Sequence, residues 1–240
     1  MITYKKISEP GTREINEDSV SIAESGSSLC CVLCDGLGGH GRGEEASKLV
    51  TDEMISYFVN SEKMIDNIGD AFETVQKKLL NAQKAKSAKF EMKTTAVTLV
   101  ITDKEIRWGH IGDSRLYIFK KRKYWKRTLD HSVPQMLVLA KDIKEKEIRN
   151  HPDRNKLLRV MGIEWGANSY EISKKIKRKD KYAFLLCSDG FWELIEEEKM
   201  ESFLKSSSNV DEWLEKMTEE VKKNGVGKNM DNFSAIAVML

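Results

Sequence analysis

Apolar residues in this chain follow two different spacings, and segments with the same spacing stand in blocks. Alternating or continuous apolar runs are typical of strands, whereas recurrence every 3.6 residues is typical of amphipathic helices. The predicted strands are residues 2–7, 19–23, 29–34, 94–101, 105–110, 115–120, 123–126, 169–176, 182–187 and 233–240. The predicted helices are residues 46–58, 64–86, 133–139, 191–200 and 210–224. Because strands and helices form separate blocks, the pattern predicts an α+β fold, with two antiparallel sheets in a sandwich flanked by helices.

Composition places the chain among ordinary globular proteins. Its 240 residues favour one domain spanning 1–240, and 40 basic against 38 acidic residues leave a net charge of +2. This balance argues against a nucleic-acid partner, which would need a strong basic excess. We see neither a membrane-spanning run nor a signal sequence, and we therefore expect a cytoplasmic protein without a membrane partner.

The cysteines Cys30, Cys31, Cys34 and Cys187 all lie in apolar runs, so we expect reduced, buried thiols. Cys31 and Cys34 form a C-x-x-C pair, which raises the possibility of a zinc or redox site. Residues three apart on a strand point to opposite faces of the sheet. The predicted strand therefore disfavours a shared ion.

Acidic residues stand where strongly apolar strands begin or end. Asp35 and Asp189 each follow such a strand, Asp231 precedes the last one, and Glu17 with Asp18 precedes the strand at 19–23. Asp-Gly after a strand is also ordinary turn chemistry. Several carboxylates at buried strand ends are costly without compensation, and a set of oxygen ligands suits two hard ions such as Mg²⁺ or Mn²⁺. One aspartate would then bridge the two ions.

Three further features of the sequence fit a phosphate or metal site beside these carboxylates. Gly112-Asp113-Ser114-Arg115 separates two predicted strands and reads alone as a hairpin turn, but it adds a carboxylate at the rim of a sheet. Arg13 lies four residues before Glu17 and is by itself an ordinary surface cation. Its guanidinium could bind phosphate oxygens in a bidentate manner. Gly36, which has no side chain, allows its backbone carbonyl to approach an ion closely.

Taken in order, these residues resemble the metal-dependent serine/threonine protein phosphatases of the type 2C family, in particular its bacterial single-domain members. The motifs are Arg13-Glu14-Ile15-Asn16-Glu17-Asp18, Cys34-Asp35-Gly36-Leu37-Gly38-Gly39-His40, Gly112-Asp113-Ser114-Arg115, Thr128-Leu129-Asp130-His131-Ser132, Leu157-Leu158-Arg159-Val160-Met161-Gly162, Ser188-Asp189-Gly190 and Asp231-Asn232. Each motif is weak alone, but the ordered set covers nearly the whole chain. The resemblance implies a four-layer αββα sandwich, in which helix pairs flank two antiparallel sheets.

The resemblance also implies a metal centre at one end of the sandwich. By motif position, Asp35 bridges two Mg²⁺ or Mn²⁺ ions, Gly36 contributes its carbonyl, and Asp189 and Asp231 ligate the second ion. Glu17 and Asp18 act at the metals or just behind them, partly through water. Asp113 helps to hold a third, weaker ion, and Arg13 binds the phosphate of the substrate.

The implied reaction is hydrolysis of phosphoserine and phosphothreonine by direct attack of a water that bridges the metals. Some family members carry histidine directly after the Asp-Gly pair, where this chain has Leu37. His40 in the same loop is a candidate general acid, although it could equally structure the loop, and a metal-bound water could serve instead. We interpret His131 as structural and assign His110 no role.

The expected partners are phosphorylated proteins, the substrates of a serine/threonine kinase in a signalling system, and the family favours a monomer. Two other functions remain open: a catalytically silent homologue that acts as a binding module, and a hydrolase of small phosphate esters. The retained Asp35, Asp189 and Asp231 argue against the silent homologue. The charged segment 141–154 is where we expect flexible elements near the substrate entrance.

Overall fold

Two antiparallel sheets form the centre of the molecule, in a computed structural model that describes residues 2–38, 41–61, 63–88, 90–166, 169–178 and 181–240. The first sheet has the order β1 (Thr3–Glu9), β11 (Phe233–Met239), β10 (Tyr182–Cys187), β6 (Arg115–Lys120) and β7 (Lys123–Arg127). The second has the order β2 (Asp18–Ser25), β3 (Ser28–Asp35), β4 (Ala96–Ile101), β5 (Glu105–Ile111) and β8 (Glu171–Ile172), and β9 (Ile176–Lys177) also pairs with β5. Every strand pairing is antiparallel.

The two sheets bury one face of each strand against the other sheet. Leu33 and Leu99 of the second sheet share an apolar cluster with Ile118, Phe184 and Ile236 of the first. Side chains alternate between the two faces of a strand, so the opposite faces must be covered by something else. Helices cover them.

Two helix pairs form the outer layers. The second sheet is covered by α1 (Gly43–Asn60) and α2 (Ile68–Ala85), and their apolar residues form a separate cluster with that sheet. The first sheet is covered by α5 (Glu197–Ser206) and α6 (Val210–Gly225). The remaining helices, α3 (Val133–Ala140), α4 (Asp189–Trp192) and a 3₁₀ turn at Glu145–Asn150, are short. The predicted αββα sandwich is therefore confirmed. Within the described ranges, no helix is long and apolar enough to cross a bilayer.

The cysteines behave as predicted. Cys31 lies in the apolar layer between the sheets, whereas Cys34 lies in the cluster under α1 and α2. All four cysteines are buried and unbonded, and burial raises the pKa of Cys34 to about 12. The C-x-x-C pair thus faces opposite sides of one strand and does not form a shared site.

Three local predictions were wrong, and tertiary contacts explain two of them. The helix predicted at 64–86 begins at Ile68, because residues 64–67 form turns. The strand predicted at 169–176 is split into β8 and β9. Ile172 pairs with Gly109 and Ile176 with Ile106, so this side of the ladder has one extra residue, and Ser173 at the break exchanges hydrogen bonds with Trp108.

The helix predicted at 191–200 is divided into α4 and α5. Arg149 donates hydrogen bonds to the carbonyl oxygens of Trp192 and Ile195 between them, at 3.1 Å each, and pairs with Glu197. The same contacts anchor the middle of the segment 141–154, where flexible elements are expected. Ile148 is buried there and Arg149 ties the 3₁₀ turn to the helices.

Candidate active site

Strand pairing brings the predicted acidic residues to one end of the sandwich. Asp18 begins β2 and lies opposite Asp35, which ends β3. In the first sheet, β10 and β11 are antiparallel neighbours, so Asp189 after β10 and Asp231 before β11 lie at the same end. Asp113 lies in the turn by which the chain leaves β5 in one sheet and enters β6 in the other. Carboxylates from both sheets therefore meet.

A cavity of about 1190 Å³ opens at this end. Its walls include the predicted site residues Arg13, Glu17, Asp35, Gly36, Asp113, Asp189 and Asp231. Asp18 is the exception and lies behind the wall, where its Oδ2 accepts a 2.8 Å hydrogen bond from Ser188 Oγ. The structure thus brings all the described candidates together, in two layers. His40 and Gly39 lie outside the described residues.

Burial and mutual repulsion disfavour negative charge on the aspartates. Burial, followed by the nearby Asp189, raises the pKa of Asp35 well above its ordinary value, and the same two causes act on Asp113. Burial raises the pKa of Asp18 to about 7, and burial with the neighbouring Asp231 raises that of Asp189 to about 6. The nearby positive charge is therefore too small to offset burial and mutual repulsion at Asp18, Asp35, Asp113 and Asp189.

The donor set fits hard divalent cations. It consists of carboxylate oxygens with the adjacent Gly36 backbone, and buried Asp18 Oδ1 has no hydrogen-bond partner. Mg²⁺ and Mn²⁺ prefer such oxygen ligands, and they would supply the missing charge. Asp35, Asp113, Asp189 and Asp231 are the residues that could hold such ions directly.

The backbone of Asp35 is fixed by two threonines that directly precede β4. Its N–H donates to Thr95 Oγ1 at 3.0 Å, and its carbonyl accepts from Thr94 Oγ1 and from the Thr95 N–H, each at 2.8 Å. Gly36 follows in a crowded position, where a Cβ would lie 2.3 Å from the carbonyl oxygen of Gly43. A larger residue at Gly36 would therefore displace the loop that adjoins Asp35.

Arg13 and Glu17 approach the cluster differently. Arg13 Nη2 donates to Asp231 Oδ2 at 3.0 Å, and both side chains are about half exposed at 48 % and 44 %. The carboxylate of Glu17 lies against the glycine loop, because a Cβ on Gly38 would fall 1.7 Å from Glu17 Oε2. Partial burial, with Glu44 and Asp231 nearby, raises the pKa of Glu17. Glu17 therefore supports the loop as well as facing the cavity.

Sequence reasoning missed the role of Asn232. Its Nδ2 donates to the carbonyl oxygens of Pro10 and Ile15, and its Oδ1 accepts from the Glu17 N–H, each at 2.9 Å. Asn232 thus ties the segment that carries Arg13 to the strand that follows Asp231. Its position directly after Asp231 was the available signal.

A second missed pair lies beside Asp189. Arg154 and Glu193 form an ion pair at 2.9 Å. Burial, followed by the charge of Asp189, raises the pKa of Glu193 to about 7. The positive charge of Arg154 acts in the opposite direction on both carboxyl groups. Arg154 is thus a second cation near this end of the sandwich.

A separate cluster contains His110, His131 and Glu171. One potential ligand atom from each of these three side chains lies within 4.8 Å of the other two. The histidine cluster is distinct from the carboxylate site and is considered below.

Known proteins resemble this chain in sequence and in fold. The chain is 28 % identical over 207 residues to the serine/threonine phosphatase stp of Listeria monocytogenes, covering 83 % of this chain and 81 % of that protein. The crystal structure of the serine/threonine phosphatase Stp1 from Staphylococcus aureus superposes with a TM-score of 0.89 at 28 % identity, covering 100 % of this chain and 95 % of that one.

A second similar structure is the catalytic domain of the serine/threonine phosphatase PstP in complex with 2 manganese ions, with a TM-score of 0.83 over 99 % of this chain and 97 % of that one. At 24 % identity it supports the fold alone. The relatives and the fold together identify the chain as a serine/threonine phosphatase, a class of hydrolase, which confirms the prediction of an enzyme. A model of the protein phosphatase 2C family matches residues 11–233, and the chain belongs to that family.

Proposed function

We propose that this chain removes phosphate from phosphoserine and phosphothreonine in proteins, using Mg²⁺ or Mn²⁺. The observation that carries the proposal is the meeting of Asp35, Asp113, Asp189 and Asp231 from both sheets at one cavity, with Arg13 at its edge. Its membership of the protein phosphatase 2C family supports the reaction class. The two manganese ions of PstP support the type of metal.

The proposed ligand set follows the layers of the site. Asp35 would be shared by two ions, the carbonyl of Gly36 would add a ligand, and Asp189 with Asp231 would hold the second ion. Asp113 contributes to a third, weaker ion. Glu17 would act from the cavity wall, and Asp18 from behind it through its unpartnered Oδ1.

Bound metal ions would supply an acidified water for direct attack on phosphorus, together with positive charge for the phosphoryl group. Arg13 binds the phosphoryl oxygens and offsets the charge that develops on them. Its contact with Asp231 keeps the guanidinium at the edge of the cavity before substrate binds. The leaving serine or threonine oxygen needs a proton, for which His40 is the candidate donor in this chain.

The proposed partners are phosphorylated proteins that a serine/threonine kinase has modified. We further propose that residues 1–240 act as one catalytic domain, as a monomer in the cytoplasm. Continuity of the apolar layer between the two sheets supports a single unit, since strands from both ends of the chain share it.

An assay with a generic aryl phosphate tests the metal-dependent reaction. We expect hydrolysis with Mn²⁺ or Mg²⁺, no hydrolysis after chelation, and no hydrolysis by Asp35→Asn. Asp52→Asn is the matched control, because Asp52 lies on the outer surface of α1 and pairs with Lys48. Full activity of Asp35→Asn would refute the bridging role.

A comparison of substrates separates the remaining alternatives. A protein phosphatase should turn over a phosphoserine or phosphothreonine peptide, whereas a small-ester hydrolase would turn over only the small ester. A silent homologue would hydrolyse neither with metal present. Peptide hydrolysis by the wild type that Asp35→Asn loses supports the proposal.

A further inference from the structure

His131 holds the turn that carries Asp113 through the residue before it, Gly112. The backbone N–H of Gly112 donates to His131 Nδ1 at 3.1 Å, and the backbone N–H of His131 donates to the Gly112 carbonyl at 2.9 Å. Both polar backbone groups of Gly112 are therefore bound by His131. This contact reaches the turn directly before the proposed ligand of the third ion.

The first of these bonds determines the tautomer of His131. Because Nδ1 accepts a hydrogen bond, the imidazole is neutral and carries its proton on Nε2. His131 Nε2 makes no hydrogen bond to the described residues, but it lies 3.5 Å from Glu171 Oε1, and the negative charge of that carboxylate favours a proton at this nitrogen. A chain of contacts thus runs from Glu171, whose side chain is 54 % exposed, through buried His131 to Gly112.

His110 stacks on His131, with ring centroids 4.8 Å apart and an angle of 11° between the rings. His110 Nε2 lies 2.8 Å from the carbonyl oxygen of Leu129, so it is the donor there, and Nδ1 has no partner. Two histidines and a glutamate are suitable ligands for zinc. A metal-bound histidine, however, uses its other nitrogen as a donor, and Nδ1 of His131 is an acceptor. The trio therefore fits a hydrogen-bonded support better than a metal site.

Asp113 depends on its backbone for its direction. Gly112 adopts a φ of +98°, and a Cβ there would lie 2.5 Å from Thr95 Cγ2, so the turn has little freedom to change. The carbonyl of Asp113 accepts from Trp192 Nε1 at 3.1 Å. His131 holds the turn on one side and Trp192 on the other, and the carboxyl group of Asp113 is left at the cavity.

We propose that His131, kept in its Nε2–H tautomer by Glu171, is a positioning residue for Asp113 and thereby sets the affinity for the weakest of the bound ions. The inference rests on the proposed function, because it takes Asp113 as a metal ligand. The sequence indicated only a structural role for His131. The proposal adds a defined effect of this residue on the metal site.

Calorimetric titration with Mn²⁺ tests the proposal without an activity measurement. Asp113→Ala should remove the weakest-bound equivalent, and His131→Ala should weaken it by about tenfold while the tighter ions remain. His131→Asn should restore the affinity to within about twofold, because its Oδ1 can accept the Gly112 N–H. His151→Ala is the matched control, since His151 Nδ1 accepts a 3.1 Å backbone hydrogen bond from Asp153 in a different turn.

Nitrogen-15 NMR of the histidine rings tests the tautomer in the wild type, which avoids any variant that fails to fold. We expect the Nε2–H form for His131 and a larger Nδ1–H fraction in Glu171→Ala. An Nδ1–H tautomer in the wild type, or unchanged weak-ion affinity in His131→Ala, overturns the proposal. A Zn²⁺ equivalent that His110→Ala and Glu171→Ala each abolish also overturns it. If the protein has no phosphatase activity but His131→Ala still weakens binding of the weakest Mn²⁺ ion, the role of His131 is supported and only the proposed function is refuted.

Discussion

At the scale of single residues, the molecule holds buried aspartates in two different ways. Asp130 is buried between Arg115 and Arg127, and Arg115 binds it through two hydrogen bonds of 2.9 and 2.6 Å. Burial alone would raise the pKa of Asp130, but these two arginines outweigh it and lower the pKa. Asp35 is also buried among charged groups, but they are other aspartates, and its pKa is raised. The first arrangement is complete within the protein, whereas the second requires cations.

This contrast predicts how the stability of the metal-free protein depends on pH. Asp18 and Asp189 have an ordinary pKa of 3.8, which folding raises to about 7 and about 6. The folded state therefore binds protons more tightly than the unfolded state, and the free energy of unfolding falls as pH rises from about 4 to about 7. Each pKa unit of difference between the folded and unfolded states corresponds to about 1.4 kcal/mol in the free energy of unfolding.

Urea denaturation of the chelator-treated protein at about pH 5 and about pH 7.5 measures this dependence. Saturating Mn²⁺ should remove most of the decline, because the ions favour the ionised carboxylates. Equal stability of the metal-free protein at both pH values would contradict the prediction.

At the scale of helices and strands, local pattern predicted the elements whose partners are regular. The strands at 182–187 and 233–240 are continuous apolar runs, and the structure has them as β10 and β11 with nearly the same bounds. The division of 191–200 could not be predicted, because it depends on Arg149, which is more than 40 residues away in the chain. Likewise, residue type marked the aspartates as unusual, but only strand register shows that Asp18 lies behind the cavity.

The contacts of Arg149 predict a local effect on stability. Arg149→Ala removes hydrogen bonds to the carbonyl oxygens of Trp192 and Ile195 and leaves Glu197 without its partner. We expect a loss of about 1–3 kcal/mol in the free energy of unfolding, because these partners are partly buried. Lys146→Ala, at an exposed position of the same 3₁₀ turn, should change stability by no more than about 0.5 kcal/mol.

Chemical denaturation of both variants in the presence of Mn²⁺ measures the difference. Hydrogen exchange should also increase between α4 and α5 in Arg149→Ala, since this segment loses its anchor. If the two variants have the same stability, the guanidinium does not determine the break between the helices.

At the scale of the whole molecule, the carboxylate site joins the two sheets. Asp35 belongs to the second sheet, whereas Asp189 and Asp231 flank strands of the first. Apolar contacts hold the sheets together along their length, but at this end acidic groups face one another. Ions bound there would replace repulsion between the sheets with a shared attraction.

Metal binding should therefore stabilise the entire fold. Mn²⁺ at about one hundred times its dissociation constant contributes about 2.7 kcal/mol, which corresponds to a rise of about 5–10 °C in Tm for a chain of this size. Calorimetry should show this rise for the wild type and for Asp52→Asn, whose substitution lies outside the site. Asp35→Asn should lose most of it, because the ion that spans the sheets loses its proposed bridging ligand. A rise in Asp35→Asn equal to that of the wild type would mean that Mn²⁺ stabilises the protein from some other place.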